Sequence, residues 1–70
     1  MSLTLETYTQ DNLYVELFWD KYAPHYHCFV GRKHSDGLVH TIKDLTYATK
    51  EQASRSFKRQ VAKAKKGEIQ

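Results

Sequence analysis

Four histidines and the single cysteine lie close together in the middle of the chain, at His25, His27, Cys28, His34 and His40. Imidazole and thiolate are common zinc ligands, and a cysteine beside a histidine could act as an activated nucleophile. On an extended strand, however, Cys28 points to the opposite face from His25 and His27. The chain also lacks Cys-x-x-Cys and His-x-x-x-His spacings. These observations predict no metal site and a buried, unreactive cysteine.

Other catalytic patterns are missing from the sequence. The three glycines, Gly31, Gly37 and Gly67, do not form a strand-to-helix turn that could hold a phosphate group. No pair of carboxylates lies at helical spacing in an apolar setting. We therefore predict that the protein is not an enzyme and uses no cofactor and no small-molecule substrate.

Basic side chains are concentrated near the C-terminal end. Residues 50–70 carry seven of the 11 Lys and Arg residues and two acidic residues, a net charge of +5, whereas residues 1–49 carry a net charge of −2. A cationic surface attracts polyanions, and phosphate neutralisation supplies most of the non-specific affinity for DNA or RNA. The alternative is a solvated helix face without a ligand, because Lys and Arg are good helix formers. The predicted nucleic-acid contacts are Arg55, Lys58, Arg59, Lys63 and Lys66, with Arg32 and Lys33 as secondary contacts.

A second candidate surface consists of aromatic side chains. Apolar residues alternate from position 13 to 19, so that Tyr14 and Phe18 are predicted to face away from the core, together with Phe29 on a later strand. One helix can cover only one face of the sheet. The uncovered rings favour a protein-interaction or inhibitor module of bacterial or phage type, or a homodimer formed sheet to sheet. Stacking on unpaired bases is a further alternative.

The elements that carry these residues are four predicted antiparallel strands. They span about residues 3–8, 13–19, 25–32 and 38–43, and a polar turn at residues 9–12 joins the first two. In the first strand, alternation places Tyr8 on the face opposite to Leu3 and Leu5.

Two turn geometries fit Asp36-Gly37, a two-residue turn or a three-residue turn at residues 35–37 with Gly37 as a left-handed bulge residue. They differ in register by one residue, which reverses the side chains of the fourth strand. We favour the three-residue turn because it places Leu38 and Ile42 on the same face as Val30.

Local signals predict one helix over about residues 50–66 and a short tail at residues 67–70. Thr49 and Gln52 have the spacing of a capping box, and Gly67 suits a left-handed cap at the other end. The predicted apolar stripe, which packs on the sheet and leaves the cations facing solvent, is Ala53, Phe57, Val61 and Ala64.

The chain is thus predicted to form a single small α+β domain over residues 1–70, a β-meander of three to four strands with one C-terminal amphipathic helix on one sheet face. The single cysteine excludes an intrachain disulfide and fits a reducing compartment. No apolar run reaches the roughly 18 residues of a membrane span, and no signal peptide is recognisable. These features predict a cytoplasmic protein without a membrane partner.

Strands followed by a helix that opens with Thr49-Lys50-Glu51-Gln52-Ala53 resemble the layout of the arm-type DNA-binding domains of tyrosine recombinases. The resemblance covers about residues 26–61. It implies DNA binding with the sheet face in the major groove, whereas the outer sheet face of this chain is poor in arginine. The resemblance concerns the order of the strands and the helix.

Overall fold

The computed structural model describes residues 2–69, which form one four-stranded antiparallel sheet followed by one helix. The elements are β1 (Ser2–Gln10), β2 (Leu13–Asp20), β3 (Tyr26–Lys33), β4 (Val39–Tyr47) and α1 (Lys50–Lys65). The strands lie side by side in chain order, so β1 and β4 are the two edges. The predicted ββββα architecture is confirmed.

The first hairpin turn is shorter than predicted. Gln10 pairs with Leu13, so that residues 11 and 12 alone connect β1 to β2. Asp11 adopts a φ of 54°, in the left-handed region. Aspartate tolerates this conformation better than most residues, which explains why the chain can reverse there.

β1 contains a β-bulge that changes its alternation. The pairing register with β2 shifts between Thr4 and Glu6. An inserted residue reverses the faces of the side chains that follow it. Tyr8 therefore lies beside Val15 and packs against the core. The predicted position of Tyr8, opposite to Leu5, was wrong for this reason.

The β3–β4 hairpin has the predicted three-residue turn. The His34 amide donates to the Leu38 carbonyl at 2.8 Å, and the Gly37 amide donates to the His34 carbonyl at 2.9 Å. Gly37 has a φ of 87°, as the left-handed bulge position requires. Leu38 is nevertheless 60% exposed, because the hairpin extends beyond Leu13, where β2 begins.

β4 is longer than predicted and continues to Tyr47. The register against β3 shifts between Val30 and Gly31, which leaves Ile42 as an extra residue in β4. Beyond this bulge, Leu45 and Tyr47 pack against the core and are partly buried. The predicted end of the strand near residue 43 was therefore wrong, because the bulge interrupts the alternation.

α1 has the predicted caps. The Gln52 amide donates to Thr49 Oγ1 at 3.3 Å. At the other end the Glu68 amide donates to the Lys63 carbonyl at 2.9 Å, across Gly67 with a φ of 72°. The first is the N-cap bond from Thr49, one half of a capping box, and the second is the bond of a Schellman motif. Local sequence thus determines both ends of the helix.

The core lies between α1 and one face of the sheet, and α1 contacts all four strands. The sequence prediction of the helix stripe was incomplete. Val61 is only partly buried, whereas the polar side chains of Ser56 and Gln60 are buried. The buried apolar residues are Leu13, Val15, Leu17, Cys28, Val30, Ala53, Phe57 and Ala64.

Candidate nucleic-acid interface

The outer surface of α1 faces solvent because its apolar stripe packs on the sheet. Lys63 is half-buried. The exposed cations of the helix and its C-terminal cap are Lys50, Arg55, Lys58, Arg59, Lys65 and Lys66. Within α1 the only acidic residue is Glu51. The five residues predicted as primary phosphate contacts therefore lie on the helix and its C-terminal cap, and four of them are exposed.

On the flank of α1 towards β1, the cations lie close to an acidic side chain. Lys58 and Lys65 line a shallow pocket that also contains Glu6. The Lys65 ammonium group lies 5.7 Å from the centre of the Tyr8 ring, a cation–π distance. A carboxylate on this flank partly compensates the positive charge there.

On the flank towards β4, two arginines line a pocket without a carboxylate. Arg55 and Arg59 are one helical turn apart, and both border this pocket together with Tyr47 at the end of β4. Gln52 and Ser56 complete the lining. The sequence analysis assigned Gln52 only to the capping box with Thr49 and gave Tyr47 no position in a site. Both residues lie near the start of the helix and line this pocket.

The two secondary contacts predicted in β3 lie on opposite faces of the sheet. Arg32 is half-buried on the face covered by α1, and its guanidinium donates to the Ile69 carbonyl at 3.3 Å. Lys33 is exposed on the other face, paired with Val39. Successive strand residues point in opposite directions, so these two cations do not form one patch.

The open face of the sheet carries the predicted aromatic side chains, which are half-buried rather than fully exposed. Phe18 stacks on His27, with ring centres 4.7 Å apart and planes at 5°. Phe29 lies over Gly31, where the absence of a side chain leaves room for its ring. Tyr14 pairs across the strands with the same glycine. The rings therefore cover part of one another's surface and of the sheet.

Carboxylates lie among these rings. Glu16 accepts a hydrogen bond of 2.5 Å from the Thr4 hydroxyl, and Asp44 pairs with Phe29 from β4. Partial burial raises the pKa of the Tyr14 hydroxyl, and the negative charge of Glu16 and a hydrogen bond to it add to this rise. Phosphate groups would be repelled here, in contrast to the outer surface of α1.

The four histidines and Cys28 do not form one cluster, although the rings of His34 and His40 lie close together, with centres 4.0 Å apart. His27 stacks on Phe18 on the open face, whereas His25 lies in the β2–β3 loop, with its ring centre 6.2 Å from that of Trp19 on the covered face. The prediction that these two histidines share a face was wrong, because β3 begins one residue after His25. Across residues 2–69 no group of three or more His, Cys, Asp and Glu side chains could hold a metal ion.

Cys28 is fully buried under α1. Burial raises the pKa of its thiol; the neighbouring Ser56 hydroxyl partly opposes this rise, and the Asp44 carboxylate adds to it. A raised pKa keeps the thiol protonated at neutral pH, and a buried protonated thiol is a poor nucleophile.

Comparison with known protein families, curated proteins and solved structures found no match to this chain. Within residues 2–69, no helix has the length and apolar character required to cross a membrane.

Proposed function

We propose that the protein binds DNA or RNA without catalysis, through phosphate contacts from the outer surface of α1. The observation that carries this proposal is the row of exposed cations on one helix, which the packing of Phe57 and its neighbours directs to solvent. Cations on a rigid element neutralise phosphates and release their condensed counterions. Arg55, Lys58, Arg59, Lys63 and Lys66 are the contacts proposed on this helix.

The charge distribution supports binding of nucleic acid on the helix side of the protein. The open face of the sheet carries Glu16 and Asp44, whereas α1 covers the other face and presents its cations beyond it. A polyanion would approach the helix side and be repelled from the open face. Binding would be independent of sequence, because phosphate contacts carry no base information. Lys33 on the open face and Arg32 bound to Ile69 contribute less.

Fluorescence anisotropy with labelled single-stranded and duplex oligonucleotides at low ionic strength tests the proposal. We expect binding by the wild type and its loss in the K58E/R59E/K63E variant. Two double variants, K58E/R59E and its control K21E/K43E, change the net charge by the same amount. Only K58E/R59E removes cations of the helix. Equal weakening by both would show that net charge alone attracts the nucleic acid, and no binding by the wild type would exclude the function.

The open face favours a second candidate, a protein-interaction or inhibitor module. Three half-exposed rings, Tyr14, Phe18 and Phe29, lie beside the carboxylates Glu16 and Asp44 on a face that α1 does not cover. This combination fits a protein partner with cationic and apolar groups. A symmetric homodimer through the same face would bring like charges together.

Light scattering over a range of concentrations, for the wild type and F18E, tests self-association. A mass that rises with concentration only in the wild type would favour a homodimer through this face. A constant monomer mass in both would contradict the homodimer.

A further inference from the structure

We infer that the pocket between α1 and the end of β4 binds one phosphate group of the nucleic-acid backbone. This pocket, the Tyr47 pocket, has a volume of about 180 Å³. The inference rests on the proposed function and names its main contact point. The lining residues are Tyr47, Gln52, Arg55, Ser56 and Arg59.

The spacing of the helical residues brings several donors to one place. Positions 52, 55, 56 and 59 follow the three- and four-residue spacing that places side chains on one side of a helix. Two guanidinium groups and one amide can therefore point to the same ligand. Tyr47, two residues before the Thr49 cap, forms the wall on the side of the sheet.

Both charged residues that line the Tyr47 pocket, Arg55 and Arg59, are positive. Two other pockets along α1 each include a carboxylate. Glu6 lines one of them with Lys58 and Lys65, and Glu51 lines the other with Lys50, Arg55 and Lys58. No acidic residue lines the Tyr47 pocket. An anion in the Tyr47 pocket would thus contact Arg55 and Arg59 with no carboxylate in the lining.

Ser56 lies at the boundary between the Tyr47 pocket and the core. Ser56 is 2% exposed, and its hydroxyl oxygen has no hydrogen-bond partner within the part of the chain that the structure describes. Buried hydroxyl groups are normally paired. Ser56 contributes to the pocket wall, but its buried hydroxyl neighbours the Cys28 thiol on the core side. The donors proposed for the anion are therefore those of Arg55, Arg59 and Gln52.

Arginine suits this role better than lysine. Its planar guanidinium group donates two parallel hydrogen bonds to a phosphate, which adds geometric specificity to the charge. A single phosphate group held by Arg55 and Arg59 would fix the position of the backbone. Lys58 and Lys65 on the opposite flank would then act as less specific charges.

Two variants of equal charge test the inference. R55Q/R59Q and K58Q/K65Q each remove two positive charges from exposed positions of α1. We expect R55Q/R59Q to weaken oligonucleotide binding by about tenfold more than K58Q/K65Q, because bidentate arginine contacts are lost. R55K/R59K, which keeps the charge, should also weaken binding.

An NMR titration with inorganic phosphate reports on the pocket without nucleic acid. We expect the side-chain signals of Arg55, Arg59 and Gln52 to shift in the wild type and in K58Q/K65Q. In R55Q/R59Q, where the two arginines are absent, we expect the Gln52 signal to remain unchanged. Shifts spread equally over all helix cations would overturn the site. If the wild type binds no oligonucleotide but phosphate still shifts these signals, the proposed function fails and the anion site stands. If oligonucleotides bind and both double variants weaken binding equally, the site fails and the function stands.

Discussion

The Phe29 ring lies so close to Gly31 that a Cβ atom added at position 31 would be 2.7 Å from Phe29 Cε2. The same Cβ would be 2.9 Å from Val39 Cγ1. The absence of a side chain at Gly31 thus leaves room for an aromatic ring of the open face. Phe29 and Gly31 of β3 and Val39 at the start of β4 thus lie close together.

Replacing Gly31 by alanine should push the Phe29 ring away from the sheet. We expect G31A to lower the free energy of unfolding by about 1 kcal/mol, the lower range for overpacking, because alanine is otherwise favoured over glycine in a strand. In an F29A background the loss should be smaller. Urea unfolding of the two single variants and the double variant measures this coupling. Strictly additive effects would contradict the close contact.

Phe57 is the main anchor of α1 and is 7% exposed. We expect F57A to lower the free energy of unfolding by about 3–5 kcal/mol, the usual cost of emptying an aromatic core position. The neighbouring exposed K58A is the control and should change stability by less than about 0.5 kcal/mol. Thermal unfolding curves measure both. A variant F57A with wild-type stability would show that α1 does not pack as described.

Thr49 caps the helix through its hydroxyl group, which accepts from the Gln52 amide. T49A should cost about 1 kcal/mol of stability, since the amide loses its partner, whereas T49S keeps an oxygen at the same position. Chemical denaturation compares the variants. Equal losses in T49A and T49S would point to the methyl group rather than the cap.

Burial raises the pKa of the Cys28 thiol. We therefore expect the protein to lose stability at alkaline pH. The folded state retains the thiol proton at a pH where the unfolded chain, with an ordinary pKa of about 8.5, releases it. The contribution of this thiol to the free energy of unfolding is therefore fully present below this pH. It falls as the pH rises, by at most about 1.4 kcal/mol per pH unit. The wild type should lose more stability than C28A between about pH 8.5 and 10.

The pH test compares urea unfolding at neutral pH and near pH 9.5, below the ordinary pKa of 10.0 of Tyr14, whose own pKa is raised. Identical pH dependence of wild type and C28A would contradict a protonated buried thiol. As an independent check, a thiol reagent should modify Cys28 slowly in the folded protein and rapidly in urea.

The features that sequence predicted well depend on neighbouring residues. The alternation in β2, the Thr49 cap, the Gly67 cap and the turn with Gly37 are all confirmed. Each is determined by local backbone preferences or by spacing within one element.

The features that sequence missed depend on pairing between distant residues. The bulges near Leu5 and Ile42 arise from the register against a partner strand. Because of them, Tyr8 and Tyr47 lie on the covered face of the sheet. Burial of the polar Ser56 likewise depends on how α1 lies on the sheet. The Tyr47 pocket combines residues from β4 and α1, so no spacing within the sequence could reveal it.

The salt dependence of oligonucleotide binding tests the central claim most directly, which is that the solvent-facing cations of α1 bind phosphates. For duplex DNA each phosphate contact contributes about −0.9 to the slope of log affinity against log salt concentration. With Arg55, Lys58, Arg59, Lys63 and Lys66 as contacts, we predict a slope of about −3 to −5, reduced by about 2 in K58E/R59E. Undetectable binding at low salt, or an affinity that does not change with salt, would contradict the account.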